Sequence, residues 1–140
     1  MKSELLEEIE KRYYQATFVR ELGMELIRAE PGLAESRLQV VGAHLQQDGF
    51  VHAGVVATLA DHTGGAAAWT MVEPHQTVLT VEFKINLLRP ARGPELRCVA
   101  KVLRPGRTIT AAEAEVTNPD GSLAAKLTMT LAVVDISKLR

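Results

Sequence analysis

Cysteine, excess charge and long apolar segments are all scarce in this 140-residue sequence. Cys98 is the only cysteine, so no disulfide can form within the chain and a reducing compartment is expected. A net charge of −1 at pH 7 offers no general attraction to nucleic acid or to an anionic membrane. No uncharged apolar run approaches the roughly 20 residues of a membrane span, and the acidic N-terminus lacks the apolar region of a signal peptide. These absences predict a cytoplasmic domain with neither nucleic acid nor a membrane as its partner.

The periodicity of the apolar residues predicts an α+β fold in a single domain, residues 1–140. Ser3 can cap an N-terminal helix within residues 1–18. The run Asn118–Gly121 marks a turn, and the short links between the last strands imply antiparallel pairing. The expected strands span about residues 21–29, 33–41, 79–87, 96–102, 107–117 and 123–133.

A second helix, expected over residues 54–73, organises the rest of the chain because it has few polar positions on any side. Such a helix must be buried nearly all round, and a single antiparallel sheet curled around it achieves this burial. That arrangement is the hotdog fold. Gly64 and Gly65 each cost about 1 kcal/mol relative to alanine within a helix, but they let the sheet approach closely.

Asp61 is the only acidic residue between positions 55 and 69. A carboxylate in an apolar helix costs several kcal/mol unless it is hydrogen-bonded, paired or put to use. It has three interpretations: a structural carboxylate that satisfies a nearby donor, a metal ligand together with His44, His52 or His62, or a catalytic base or nucleophile. Because no H-x-x-x-H or comparable spacing accompanies it, no metal is expected.

The helix entry offers chemistry that complements a carboxylate. Free backbone N–H groups at Ala53 and Gly54, directly after His52, form a site for an oxyanion or a polarised carbonyl. Taken alone, His52 is more simply a loop histidine bonded to the backbone. Ala53 and Asp61 are eight residues apart, which is about 12 Å along a helix that rises about 1.5 Å per residue. One carbonyl cannot lie within hydrogen-bond reach of both, so joint action requires a two-fold homodimer with antiparallel central helices.

These residues also carry a resemblance to a known family. The run D-G-F-V-H-A-G-V-V-A-T-L-A-D, residues 48–61, resembles the signature of the PaaI-like hotdog acyl-CoA thioesterases. In that family the pattern is Asn-x-x-Gly-x-x-His-Gly-Gly, followed by an acidic residue. The run V-x-F-x-I-N-L-L-R-P-A, residues 81–91, extends the resemblance. It implies a hydrolase of acyl-CoA thioesters in which coenzyme A is part of the substrate and no separate cofactor is used.

The resemblance also implies a role for each matching residue. Asp61 stands for the catalytic carboxylate, and His52 for the histidine at the helix entry. The amide of Ala53 stands where the family's first glycine polarises the thioester carbonyl, and Gly54 matches the second glycine. Here the alanine keeps the N–H group but adds a methyl group.

Two further positions depart from the pattern or fit it loosely. Gln46 stands where the family often has asparagine. Thr80 falls where related enzymes use Ser or Thr to hold the attacking water, but alternation places it on the polar face of its strand, opposite Leu79 and Val81.

Basic residues near strand ends are candidates for holding the coenzyme A phosphates, because a guanidinium group binds phosphate in a bidentate manner. The alternative is that they are solvated turn arginines. They are Arg89, Arg92, Arg104 and Arg107. Family members assemble as dimers of hotdogs, usually into tetramers, so a homotetramer is expected.

Two other functions compete with hydrolysis. A hotdog module could bind acyl-CoA without hydrolysing it, although the retention of Asp61 argues against this. A hydratase or dehydratase places a different histidine and acid about the helix, and the nine-residue gap between His52 and Asp61 suits the thioesterase better.

Overall fold

The computed structural model describes residues 1–139, which form one six-stranded sheet and three α-helices. All neighbouring strands are antiparallel, in the spatial order β1-β2-β4-β5-β6-β3. The sheet packs around the long helix α3, so the predicted α+β hotdog fold is confirmed. The elements are α1 (Glu4–Tyr13), α2 (Thr17–Leu22), β1 (Met24–Glu30), β2 (Leu33–Gln39), α3 (Ala53–Trp69), β3 (Gln76–Leu87), β4 (Glu95–Arg104), β5 (Ile109–Thr117) and β6 (Leu123–Asp135).

Small residues bring the sheet close to α3. Many buried strand positions are alanines, among them Ala100 and Ala114, whose short side chains let the two layers approach. A Cβ added to Gly64 would overlap the sulfur of Met129 on β6, whereas one added to Gly65 would meet nothing within 4 Å. The predicted close approach therefore holds at Gly64, while the packing of this chain does not require a glycine at position 65.

The N-terminal part differs from the prediction in its helix boundaries. Ser3 caps α1 as predicted, since its Oγ accepts the Leu6 N–H at 3.1 Å. The helix expected within residues 1–18 ends at Tyr13, however, and α2 occupies the first residues of the strand expected at 21–29. Gly23 explains this difference: its φ of 84° is the left-handed conformation that ends a helix, so the strand begins only after it.

The central helix spans Ala53–Trp69 instead of the expected residues 54–73. It ends early because the Thr70 hydroxyl donates to the Ala67 carbonyl at 2.6 Å and accepts the Gly32 N–H at 2.8 Å. The first bond gives a donor to a backbone carbonyl at the end of the helix, and the second ties this end to Gly32, so the helix ends before Glu73-Pro74.

Strand β3 lies at the edge of the sheet, paired with β6 alone, and it contains a bulge at Val81. Thr80 lies opposite the fully buried Leu131, and Phe83 lies opposite the buried Met129, so both side chains face the helix. The extra residue in the bulge puts these two positions on one face. The expected placement of Thr80 on a face opposite Phe83 is therefore wrong, whereas Leu79 lies on the opposite face as predicted.

A buried chain of hydroxyl groups joins α1 to the core. The Tyr13 hydroxyl donates to Ser36 Oγ at 2.9 Å, and Ser36 Oγ lies 2.9 Å from Thr63 Oγ1. Thr63 Oγ1 donates to the Leu59 carbonyl at 2.6 Å. Since a carbonyl can only accept, the Thr63 proton is used there and the Ser36 hydroxyl donates to Thr63. All three hydroxyl-bearing residues are fully buried.

Candidate active site

Asp61 lies at the middle of α3 and faces the edge strand. Its carboxylate is half-buried, and the Thr80 hydroxyl donates to its Oδ1 at 2.8 Å. The bulge described above is what brings Thr80 to this position. Because Oδ2 accepts no hydrogen bond within residues 1–139, one carboxylate oxygen is oriented and the other is left to act as a base or nucleophile.

The entry of α3 is capped by a histidine side chain. His52 Nδ1 accepts the Gly54 N–H at 2.8 Å. The Ala53 N–H, which belongs to the first residue of the helix, donates no hydrogen bond to the part of the chain that the structure describes. An unbonded amide at a helix N-terminus, exposed at the surface, can polarise a carbonyl oxygen.

Gln46 lies beside this entry on a tight loop. Its Oε1 accepts N–H bonds from Asp48 and from Phe50, the latter at 3.2 Å. The Gln46 backbone carbonyl accepts the Gly49 N–H at 3.1 Å. Since Oε1 is used by the loop, only the NH2 group of the side chain remains to bind another molecule, and it does so as a donor.

Gln46, His52 and Ala53 line one cleft of about 410 Å³, between the helix entry and the ends of β3 and β6. Leu87 and Arg89 form the opposite wall. Asp61 and Thr80 do not line this cleft. One chain therefore carries two separate groups of candidate residues, an amide group at the helix entry and a carboxylate group about 12 Å further along the helix.

The arginines predicted to bind the coenzyme A phosphates lie in two separate regions of the surface. Arg89 lies in the cleft, and its Nη1 donates to the Leu123 carbonyl at 2.9 Å. Arg92 lies over the Phe50 ring, 5.4 Å from its centroid. Arg104 and Arg107 line a separate depression of about 430 Å³ at the β4–β5 hairpin. Within one chain the structure thus does not bring Arg104 and Arg107 together with Arg89.

Other chemically competent side chains are buried in structural contacts. His44 accepts the Val41 N–H at Nδ1, and His62 packs against Tyr13 and Trp69. Burial raises the pKa of the Cys98 thiol to about 12, so this thiol is a poor nucleophile. Across residues 1–139, no group of three or more His, Cys, Asp or Glu side chains is placed to hold a metal ion.

The family model of the thioesterase superfamily matches residues 48–125, which contain His52, Ala53, Asp61 and Thr80 but not Gln46. This chain belongs to the thioesterase superfamily. A thioesterase family protein from Silicibacter pomeroyi is 35% identical to this thioesterase, and the match covers 94% of this chain and 98% of that one, with a TM-score of 0.89.

Two further relatives agree with this assignment. The medium/long-chain acyl-CoA thioesterase YigI of Salmonella typhimurium is 28% identical over 137 residues, covering 86% of this chain and 87% of that protein. The Escherichia coli PaaI protein from the phenylacetic acid degradation operon is 19% identical and shares the fold of this thioesterase, with a TM-score of 0.85 over 94% of this chain and 95% of that one. The resemblance to PaaI-like hotdog thioesterases is confirmed.

No helix in the described part of this thioesterase is both long enough and apolar enough to cross a membrane.

Sequence reasoning missed the residues that close the cleft from the strand side. Leu87 and Pro90 lie at the end of the run that carried the family resemblance, so their position next to the helix entry could have been inferred from that run. Phe50 also lines the cleft, one residue before the buried Val51. Nothing in its local sequence distinguishes it from a loop residue.

Proposed function

We propose that this thioesterase hydrolyses acyl-CoA thioesters at sites shared between two subunits of a two-fold homodimer. The observation that carries the proposal is the separation of Asp61 and Thr80 from the cleft that contains Gln46, His52 and Ala53. Antiparallel packing of two central helices brings the carboxylate of one subunit to the amide of the other, and symmetry gives two such sites. The partner most consistent with this is a second copy joined at β3, whose edge exposes Val81 and Phe83.

In this mechanism the thioester carbonyl accepts the Ala53 N–H of one subunit, with the Gln46 NH2 group as a second donor nearby. These donors stabilise the negative charge that develops on the carbonyl oxygen. Asp61 of the other subunit takes the proton of an attacking water molecule, while Thr80 holds the carboxylate. Alternatively, Asp61 attacks the carbonyl carbon and forms an anhydride that water then hydrolyses. Either route breaks the C–S bond and releases a carboxylic acid and the coenzyme A thiol.

The coenzyme A part of the substrate is proposed to lie between the two groups of arginines. Arg89 adjoins the amide-bearing cleft. Arg107 lies beside Met71 and Val72, which come two and three residues after the C-terminal end of α3. Since antiparallel helices place that end next to the N-terminal end of the neighbouring helix, Arg104 and Arg107 of the second subunit can approach the same substrate. Assembly of two dimers into a homotetramer belongs to the same proposal.

Two variants test the shared site because each removes one half of it. Asp61→Asn removes the base. Ala53→Pro removes the amide hydrogen and suits the fold, since proline is favoured at the first position of a helix. The preceding His52, with φ −59° and ψ 138°, already has the conformation that proline requires of its neighbour. Each variant alone is expected to lower turnover about 10²- to 10⁴-fold, measured as thiol release from a panel of acyl-CoA thioesters.

Co-expression of the two variants is the decisive measurement. A mixed dimer contains one site with an intact Ala53 amide and an intact Asp61, and one site with neither. Random pairing makes half of the dimers mixed, so about one quarter of the wild-type activity is expected. No recovery, with mixed dimers shown to be present, would refute the shared site. Tight binding of acyl-CoA by the wild type without thiol release would favour the binding module instead. Glu8→Gln, which changes an exposed carboxylate on α1 outside both groups of candidate residues, is the matched control.

A further inference from the structure

The cap of α3 determines the proton position on His52. Nδ1 accepts the Gly54 N–H at 2.8 Å, and a ring nitrogen that accepts such a bond carries no proton. The ring in this geometry is therefore neutral, with its proton on Nε2. His52 lines the cleft, and its Nε2 has no hydrogen-bond partner within residues 1–139. The free ring N–H and the free Ala53 N–H thus belong to two adjacent residues that line the same cleft.

Gly54 makes this ring position sterically accessible. A Cβ at Gly54 would lie 3.0 Å from His52 Nδ1 and 3.3 Å from Cε1, which is tighter than ordinary contact. The backbone does not call for glycine here, because the glycines with positive φ are at other positions of the chain. Glycine in a helix costs about 1 kcal/mol relative to alanine. The missing side chain is therefore explained by the His52 ring that occupies its place.

We propose that Gly54 is a positioning residue for His52. Its lack of a Cβ lets the imidazole close over the first turn of α3 and keeps the proton on Nε2, which donates to the substrate beside the Ala53 amide. The inference rests on the proposed thioester hydrolysis for the identity of the substrate. The ring geometry and its tautomer do not depend on that activity.

The first test observes the ring directly. Long-range ¹H–¹⁵N NMR spectra of histidine-labelled protein distinguish the two neutral tautomers, and His52→Gln assigns the His52 signals. The wild type is expected to show the Nε2–H tautomer, and Gly54→Ala to shift His52 toward a mixture. Gly65→Ala is the matched control, because it makes the same change in the same helix where a Cβ meets nothing within 4 Å. An unchanged tautomer in Gly54→Ala would overturn the proposal.

The second test separates a positioning role from a merely structural one. Gly54→Ala is expected to lower kcat/KM about tenfold or more, as expected when one donor to the carbonyl is misplaced. In a His52→Ala background the same substitution should have no further effect, because Gly54 acts through the ring. An equal loss in both backgrounds would contradict the inference.

Folding and activity failures remain distinguishable. If Gly54→Ala alone does not fold, the double variant with His52→Ala should fold, since the clashing ring is gone; failure of both would overturn the inference. If the wild type releases no thiol from any acyl-CoA, the proposed function fails, while the NMR comparison still decides the role of Gly54.

Discussion

Breaking the buried hydroxyl chain between Tyr13, Ser36 and Thr63 should destabilise the protein in a strongly non-additive manner. Tyr13→Phe removes one donor and leaves Ser36 bonded to Thr63, at a cost of about 1 kcal/mol. Ser36→Ala removes its own bonds and leaves the Tyr13 hydroxyl, which is 0% exposed, without a partner. An orphaned buried hydroxyl costs about 1–3 kcal/mol, so this variant should lose about 2–4 kcal/mol in total.

The double variant contains no orphaned Tyr13 hydroxyl and should therefore be about 1–3 kcal/mol more stable than the sum of the single losses predicts. Urea denaturation at one fixed protein concentration, followed by Trp69 fluorescence, measures all four free energies of unfolding. The matched control is Tyr14→Phe, because the Tyr14 hydroxyl accepts the Leu26 N–H at 2.8 Å and shares no hydrogen bond with Ser36. Additive losses for the Tyr13 and Ser36 pair would refute the hydroxyl chain.

Two other stability effects follow from α3. Gly64→Ala should be about 1–3 kcal/mol less stable than Gly65→Ala, because both gain the same helix propensity but only the first forces a Cβ into Met129; equal midpoints in urea would contradict this. Burial lowers the pKa of His62 from its ordinary value of 6.5, so the unfolded chain binds this proton more readily than the folded one. The stability that depends on His62 is complete above about pH 6.5 and is lost as the pH falls toward the lower, folded pKa. His62→Gln should reduce the decrease in the free energy of unfolding between pH 7 and pH 5. The control is His75→Gln, which changes an exposed histidine and should not reduce this decrease. An unchanged dependence of the free energy of unfolding on pH in His62→Gln would rule the effect out.

The parts of the fold that could be predicted from the sequence depend on local patterns. An apolar helix with a single carboxylate and strands with period-two alternation are visible without any knowledge of their neighbours. Helix α2 was missed because it spans six residues, too few to show a helical period, and because the alternation of Leu22, Met24 and Leu26 begins at its last residue. Gly23 was the available signal, since glycine commonly ends a helix in the left-handed conformation.

The geometry of the candidate site depends on contacts between distant residues. Val81 continues the alternation of its strand in the sequence, so nothing local marks it as the extra residue of a bulge. The pairing with Leu131 and Thr130 on β6 sets that register. The sequence therefore indicated Asp61 and the Ala53 amide as candidate residues, whereas the contact between Thr80 and Asp61 required the folded sheet.

The bulge at Val81 affects which residues of β3 can be substituted without shifting the pairing of the strand with β6. On the N-terminal side of the bulge, the Thr80 hydroxyl donates to the Asp61 carboxylate. On its C-terminal side, the apolar side chains of Phe83 and Ile85 lie on the same face of the strand as Thr80. An uninterrupted strand would turn one of these two sets outward. The unpaired Val81 thus separates the strand into two segments, and substitutions in the segment that contains Thr80 leave the apolar segment in register.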